Sequence, residues 1–349
     1  MWQSLASSGQ EVSLRSSRPS RRDVLKAAGG MVLAGAALGG CAYALQAWDD
    51  RQSAASVSGT GETDDHRAPP ELREVTYGHK TYRQRPELES YLFLGIDQMG
   101  KAVGTQSYVA GGQADTQMLL VLDNAAKTWR ILQINRDSMV EVPVLSMMGT
   151  VPYTLVQQIC LAHAYGDGRE QSCQNNVRAV SMMLDDQPIN GYLSLNMGGV
   201  GILVDLMEGI TVKVTSDFSA VDPALTEGQT ITMNGEQALE FVRTRKDVDD
   251  QTNLARMGRQ RQFLTAFEEK LRGMDSEFAV TAYDALSEYI ITDIASGTAV
   301  NIADRLKQYE ELPLMTIAGE NTVENGYWAY YLDPDSLQET VLELFYQEI

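Results

Sequence analysis

Three strongly apolar runs open the globular part of the chain. Residues 91–96 carry no charged or amide side chain, which is typical of a central strand covered on both faces. Residues 116–122 and 129–134 form the next two runs, and the short polar segment between them predicts a hairpin. The pattern does not set the direction of the first strand relative to the other two.

An acid or an arginine stands at one end of each predicted strand. Asp97 follows the first strand, Asp115 precedes the second and Arg136 follows the third. In a hairpin the start of one strand lies beside the end of the other, so we expect Asp115 to lie near Arg136. A first strand parallel to the third brings Asp97 to the same edge, where ligands of open α/β sheets bind. The pattern predicts a ligand site formed by two acids and an arginine.

Predicted helices and short predicted strands alternate along the rest of the chain. This alternation, with one hairpin, favours an α/β or an α+β sandwich. Of the two we expect the α/β fold, with a mixed central sheet sandwiched by helices, in a single domain over 86–349. The predicted helices are 155–165, 175–184, 201–207, 235–241, 254–270, 278–290, 302–312 and 336–346, and the further strands are 192–195, 210–214, 314–317 and 327–332.

Two arginines follow the helix predicted over 235–241. Asn234 and Gln237 have the spacing of an N-terminal capping box, and we expect the helix to end by Val242. Arg243 and Arg245 then lie in extended chain, where residues two apart share a face. Both guanidinium groups are therefore predicted to point the same way.

The helix predicted over 254–270 adds two polar residues to this group. Arg256 and Gln260 are four apart and share a face near its N-terminus, where free N–H groups and the helix dipole favour anions. The formal net charge of the chain is −19, which argues against a nucleic-acid partner and makes clustered arginines more informative. Guanidinium groups fit pairs of phosphate oxygens, so a phosphorylated ligand is expected.

The N-terminal part of the chain has the pattern of a membrane segment. Residues 1–26 are basic, residues 27–48 carry no charge and are rich in Ala, Gly and Leu, and residues 49–85 are polar. This order predicts a cytoplasmic segment, then a membrane anchor or export signal, then a linker. The domain over 86–349 would then be extracytoplasmic and attached to the cell membrane.

The three cysteines and one arginine pair leave alternatives open. Cys41 follows Leu-Gly-Gly, a stretch similar to a lipoprotein cleavage site, whereas Arg21 and Arg22 resemble a twin-arginine export signal. An uncleaved anchor helix is the third form of attachment. Cys160 and Cys173 are 13 residues apart, and they form either a disulfide in an exported domain or two buried thiols.

Six short motifs occur in a characteristic order over roughly residues 91–265. They are Leu94-Gly95-Ile96-Asp97, Ala114-Asp115-Thr116, Ile134-Asn135-Arg136-Asp137-Ser138, Ala162-His163-Ala164-Tyr165-Gly166, Ala238-Leu239-Glu240-Phe241-Val242-Arg243-Thr244-Arg245 and Arg256-Met257-Gly258-Arg259-Gln260. With these motifs the chain resembles the LytR–CpsA–Psr family of cell-wall assembly proteins, and the predicted membrane segment stands in the family's usual place.

The resemblance implies a phosphotransferase that moves a glycopolymer from an undecaprenyl-pyrophosphate carrier to peptidoglycan or, in some relatives, to a surface protein. It also implies bound Mg²⁺ and an apolar pocket for the polyprenyl tail. By resemblance the catalytic residues are Asp97, Asp115 and Arg136, the Mg²⁺ ligands are Asp97 and Asp115, and the pyrophosphate is held by Arg136, Arg243, Arg245, Arg256 and Gln260.

The chain departs from the family's pattern at three positions. Gln113 and Cys160 stand where the family usually has Arg and often has Lys, and Asn253 stands where an Asp is common. Two other functions therefore stay open. One is a module that binds or senses the lipid-linked glycan without transferring it, and the other is a polyprenyl pyrophosphatase that uses water as the acceptor.

Overall fold

The computed structural model describes most of the chain after residue 71. The described residues are 72–105, 111–145, 152–215, 217–244, 248, 253–271, 278, 281–282, 285–324 and 327–349. The predicted cytoplasmic segment 1–26, the predicted membrane segment 27–48 and most of the predicted linker lie outside them. In the described part of the chain, no helix has the length and apolar character needed to cross a membrane.

The strands and helices are numbered here in chain order. The strands are β1 (Glu74–Tyr77), β2 (Lys80–Gln84), β3 (Leu88–Ile96), β4 (Ala114–Asp123), β5 (Thr128–Ile134), β6 (Met139–Leu145), β7 (Pro152–Gln158), β8 (Gly191–Asn196), β9 (Ile210–Lys213), β10 (Thr230–Met233), β11 (Ile290–Thr292), β12 (Glu310–Glu311), β13 (Met315–Thr316), β14 (Gly319–Glu324), β15 (Tyr327–Leu332) and β16 (Tyr346–Glu348). The helices are α1 (Leu161–Ala164), α2 (Glu170–Met183), α3 (Met197–Leu206), α4 (Gly235–Arg243), α5 (Asn253–Leu271), α6 (Ser296–Gln308) and α7 (Pro334–Phe345).

A seven-stranded mixed sheet forms the centre of the molecule, in the order β11-β8-β3-β4-β5-β12, with β13 also paired to β5. Strand β3 is parallel to β8 and antiparallel to β4, and β4 is antiparallel to β5. Strands β3 and β5 therefore run in the same direction, which is the condition for Asp97 and Arg136 to meet, and both end at the same edge of the sheet. In the hairpin register Gln117 pairs with Ile134, which brings the start of β4 to that edge.

Side chains of β3 alternate between two hydrophobic cores, one on each face of the sheet. Phe93 packs in a core with residues of α3, α4, α5 and α6, such as Phe241 and Phe263. Leu92 packs in the other core with residues of α1, α2 and α7, such as Val180 and Leu342. Helices thus cover both faces of a mixed sheet, and the predicted α/β sandwich is confirmed.

Several predicted segments differ from the structure, and Ile290 and Glu310–Glu311, which were expected in helices, lie in β11 and β12. Residues 155–165 were expected to be one helix, but β7 occupies residues up to Gln158 and only the four-residue α1 follows. The preceding apolar segment forms β6, and pairing over seven residues in the β6–β7 hairpin outweighs the weak helical pattern. The predicted linker, 49–85, contains β1 and β2 at its C-terminal end, joined by a turn at Gly78 with positive φ. Their tyrosines pack on the second core, so the folded domain begins before residue 86.

Candidate functional site

The predicted contact between Asp115 and Arg136 lies at the carboxyl edge of the central sheet. Arg136 Nη1 donates a hydrogen bond to Asp115 Oδ1, and both side chains are about 8% exposed. The hairpin register produces this contact. Asp115 is the second residue of β4, and Arg136 is the second residue after the end of β5. A buried ion pair of this kind needs close geometry to offset the loss of solvation.

Gln113 joins Asp97 to this pair. Its main-chain N–H donates to Asp97 Oδ1 at 2.6 Å, and its carbonyl accepts from the Asp97 N–H at 3.0 Å. Its side-chain Oε1 accepts from Arg136 Nη2. Gly112 allows this close approach, because a Cβ there would lie 2.8 Å from Ile96 Cγ2. The sequence-based convergence of Asp97, Asp115 and Arg136 is therefore confirmed as a spatial cluster.

Two further residues hold the guanidinium of Arg136. Cys160 Sγ lies 3.0 Å from Nη2, and Asp137 Oδ1 lies 3.3 Å from Nε. Asp137 is buried and its carboxylate also accepts from Gln158 Nε2 at 3.0 Å. Burial raises the pKa of the Cys160 thiol to about 12, so the group is neutral near pH 7. The arginine is thus fixed by two carboxylates, an amide and a thiol.

Cys160 and Cys173 are both free and fully buried, which answers the disulfide question for this structure. Cys160 faces Arg136, whereas Cys173 Sγ lies 4.0 Å from His163 Nε2. His163 Nδ1 lies 3.1 Å from the carbonyl oxygen of Gly112, and burial lowers the pKa of this histidine. His163 is therefore a buried neutral residue that contacts the 111–113 loop.

The Asp97 and Asp115 carboxylates form a donor set suited to a hard cation. Asp97 is exposed as a residue, but its carboxyl group faces the Gln113 main chain. Partial burial of this group, together with the charge of Asp115, raises the pKa of Asp97 above its usual value. Among the described residues, no group of three or more His, Cys, Asp or Glu could hold a metal by itself. Mg²⁺ commonly takes one or two carboxylates and completes its shell with water and substrate phosphates, so the pair fits that ion.

An apolar pocket lies beside this cluster, between the central sheet and the helices of the first core. Its volume is about 60 Å³. Thr116, the neighbour of Asp115, and Gly95, two residues before Asp97, line it. Its other lining residues are Phe93, Leu94, Met118, Leu193, Leu195, Met197, Val200, Val242, Gln260 and Phe263. Residues one and two positions from the two aspartates of the cluster thus line this pocket.

Arg243 approaches the cluster from the end of α4. The capping box of Asn234 and Gln237 is present as predicted, but the helix continues through Arg243 rather than ending by Val242. Arg243 Nη1 lies 3.8 Å from Met99 Sδ, in the loop just after Asp97. The same nitrogen lies 3.9 Å from Glu240 Oε1, in an exposed ion pair. Its guanidinium therefore borders the loop that carries Asp97.

The remaining predicted ligands are placed differently. Gln260 is buried, lines the apolar pocket and donates to the carbonyl of Val242 at 3.3 Å. Arg245 and the side chain of Arg256 lie outside the described residues. Sequence reasoning did not foresee the role of Arg259, which is buried and donates to the carbonyl of Phe241 at 3.0 Å. The available signal was its place in the motif Arg256-Met257-Gly258-Arg259-Gln260.

Residues 53–345 of the chain match the LytR_cpsA_psr family. The chain belongs to this family. The matched range contains the acid–arginine cluster, the pocket and helices α1 to α7.

Curated relatives in the family carry the name polyisoprenyl-teichoic acid–peptidoglycan teichoic acid transferase. TagU of Bacillus licheniformis is 27% identical over 260 residues, which cover 73% of this chain and 76% of TagU. TagT of Bacillus subtilis is 26% identical over 266 residues, covering 73% of this chain and 75% of TagT. TagU of Halalkalibacterium halodurans is 29% identical over 248 residues, covering 70% of this chain and 73% of that TagU.

Solved structures share the fold. TagT bound to LIIa-WTA superposes with a TM-score of 0.55 at 24% identity, covering 74% of this chain and 90% of TagT. TagV of B. subtilis superposes with a TM-score of 0.54 at 22% identity, covering 74% of this chain and 97% of TagV. These LytR_cpsA_psr structures have the same mixed α/β architecture as this chain.

Proposed function

We propose that this protein is a membrane-attached, extracytoplasmic phosphotransferase. It moves a glycopolymer from a polyprenyl-pyrophosphate carrier to peptidoglycan or to a surface-protein acceptor. The observation that carries the proposal is the Asp97, Asp115 and Arg136 cluster beside an apolar pocket. The names of the teichoic acid transferases TagU and TagT, to which the chain is similar, support the same substrate class.

The cluster suits a diphosphate joined to a lipid. Arg136 and Arg243 provide charge-assisted donors for phosphate oxygens, while Asp97 and Asp115 would hold Mg²⁺ and orient the phosphates around it. The polyprenyl tail would occupy the apolar pocket. Its present volume of about 60 Å³ is well below the ~300–1,000 Å³ of ordinary ligand pockets, so side chains must move apart to admit the tail.

The reaction is a displacement at phosphorus. The hydroxyl oxygen of the acceptor forms a bond to the phosphorus that carries the glycan, and the bond from this phosphorus to the bridging oxygen breaks. Polyprenyl phosphate leaves, the hydroxyl proton passes to solvent or to a carboxylate, and a phosphodiester joins glycan to acceptor. Such transfers depend mainly on positioning and charge neutralisation, which is what the arginines and acids provide.

The attachment to the membrane follows from residues 1–48. A basic segment followed by an uncharged apolar segment holds the protein at the surface where polyprenyl carriers reside. A twin-arginine signal, a lipidated Cys41 and an uncleaved helix remain the three candidate forms of attachment. Mass spectrometry of the N-terminal peptide from the membrane fraction distinguishes them.

Transfer of labelled glycan from a polyprenyl-pyrophosphate donor to purified peptidoglycan tests the proposal with the full-length protein. We expect Mg²⁺-dependent transfer that Arg136→Ala and Arg243→Ala reduce strongly. Arg178→Ala serves as a control, since Arg178 is an exposed arginine on α2 that pairs with Asp186. Phosphate release without transfer would instead indicate the pyrophosphatase, and donor binding without turnover would indicate the sensing module.

A further inference from the structure

The guanidinium of Arg136 is enclosed by its partners. Nη1 contacts Asp115, and Nη2 contacts both Gln113 and Cys160. The side chain is 8% exposed, so an arriving diphosphate must displace a partner before it can contact either terminal nitrogen. Gln113 and Cys160 are neutral, and Asp137 is buried and held by Gln158. Asp115 is therefore the charged partner that a ligand would have to separate from Nη1.

Charge also opposes a diphosphate at this cluster. The Arg136 guanidinium pairs with Asp115 and Asp137, and Asp97 lies within electrostatic range of it, so carboxylates outnumber guanidinium groups around Arg136, with Arg243 at the exposed border of the cluster. A diphosphate alone adds negative charge in a poorly solvated place, where like charges repel more strongly than in water. A divalent cation between Asp97 and Asp115 removes this repulsion and competes with Arg136 for the Asp115 oxygens.

We propose that Asp115 is a gate on Arg136, closed while the two are paired and opened when a divalent cation draws the carboxylate toward Asp97. The inference rests on the proposed function and adds an order of events: cation first, then diphosphate on the freed guanidinium. It makes Asp115 responsible for positive coupling between the two ligands, and such coupling is reciprocal.

The test uses the full-length protein in detergent and methylenediphosphonate, a diphosphate analogue with a non-hydrolysable P–C–P bridge. Calorimetric titration is carried out in EDTA and again in Mg²⁺. In EDTA we expect Asp115→Asn to bind the analogue about tenfold more tightly than the native protein, within the roughly 5–150-fold range typical of coupled sites. Added Mg²⁺ should then improve the affinity of Asp115→Asn much less than that of the native protein.

Asp97→Asn is the matched control for charge. It removes one negative charge from the same cluster but leaves the Asp115–Arg136 pair in place. If Asp97→Asn improves binding in EDTA as much as Asp115→Asn does, general repulsion explains the effect and the gate is overturned. Asp304→Asn, at an exposed helix position paired with Lys307, should leave binding unchanged.

A measurement on the native protein keeps the proposal testable if Asp115→Asn does not fold. Phenylglyoxal labelling of Arg136, followed by peptide mass spectrometry, should be slow in EDTA and faster in Mg²⁺ without the analogue. Unchanged or slower labelling in Mg²⁺ overturns the gate. If the native protein fails to bind the analogue even in Mg²⁺, the proposed function is overturned as well. If it binds the analogue in Mg²⁺ but the labelling of Arg136 does not become faster, the gate alone is overturned.

Discussion

Arg259 Nε donates a hydrogen bond to the carbonyl of Phe241 at 3.0 Å, and its Nη2 donates to the carbonyl of Thr244. The guanidinium also lies 5.0 Å from the ring centre of Phe218. Burial lowers the pKa of Arg259 to about 10, which still leaves the side chain charged near pH 7. A residue of α5 thus satisfies carbonyls that the end of α4 leaves without helical partners. This contact sets the direction in which the chain leaves the helix at Arg243.

Replacing Arg259 with leucine should lower the free energy of unfolding by about 3 kcal/mol, because hydrogen bonds from a charged donor to one buried and one partly buried carbonyl are lost. Urea denaturation followed by circular dichroism measures the change. Arg178→Leu, at an exposed arginine on α2, should change stability by less than about 0.5 kcal/mol. Equal denaturation midpoints for the two variants would contradict the capping role of Arg259.

Binding of Mg²⁺ should depend on pH through Asp97. Partial burial and the neighbouring Asp115 charge raise the pKa of Asp97 above its usual 3.8. Only the ionised carboxylate is a good Mg²⁺ ligand, so affinity is retained above the raised pKa and lost as pH falls through it. Calorimetric titration with Mg²⁺ from about pH 7 down to about pH 4 should therefore show the loss above the ordinary Asp range.

Asp97→Asn is the comparison for this pH dependence. The variant should bind Mg²⁺ more weakly at neutral pH and should lack the component that titrates in this window. A native protein whose Mg²⁺ affinity stays constant down to about the ordinary aspartate pKa would show that Asp97 is not a ligand.

The pair of Glu89 and Arg305 should contribute acid-sensitive stability at the opposite end of β3. Arg305 Nη1 and Nη2 donate to the Glu89 carboxylate at 2.5 and 2.9 Å. Hydrogen bonding from Arg305, opposed by burial, lowers the pKa of Glu89 from 4.5 to about 2. A carboxyl with a lowered folded-state pKa stabilises the fold above its unfolded pKa, and this contribution is lost as pH falls toward about 2.

The difference in unfolding free energy between the native protein and Glu89→Gln measures this contribution. It should be constant near neutral pH and should shrink as pH falls from about 4.5 toward about 2. Glu348→Gln breaks an exposed pair with Lys80 and should give a small difference at all pH values. A Glu89→Gln difference that does not vary with pH would disprove the linkage.

The two described cysteines should be unreactive in the folded protein. Cys160 and Cys173 have no exposed surface, and burial raises the pKa of each thiol to about 12. Thiolate is the reactive form, so iodoacetamide should modify both residues only after denaturation. Peptide mass spectrometry without reduction reads the outcome, and a cross-linked pair of peptides containing Cys160 and Cys173 would contradict the free-thiol state.

The sequence alone was sufficient to predict which residues lie together at the carboxyl edge of the sheet. Strand β3 was identifiable because its side chains face apolar cores on both sides, and the β4–β5 hairpin was identifiable because its turn is short. Hairpin register then brings Asp115 beside Arg136 by geometry alone. The α4 capping box was equally local, since Asn234 and Gln237 bond within one helical turn.

Long-range packing determined the features that pattern and spacing did not reveal. Strand β7 forms because β6 pairs with it. The β1–β2 hairpin forms because β16 pairs with β2 and because its tyrosines pack on the second core. Arg259 caps α4 because α5 packs against the end of that helix. The enclosure of Arg136 by Gln113 and Cys160 has the same origin, since these residues are 23 and 24 positions from it. Local sequence encodes turns, caps and periodicity, whereas the partners of a buried charge depend on which distant segments the fold brings into contact.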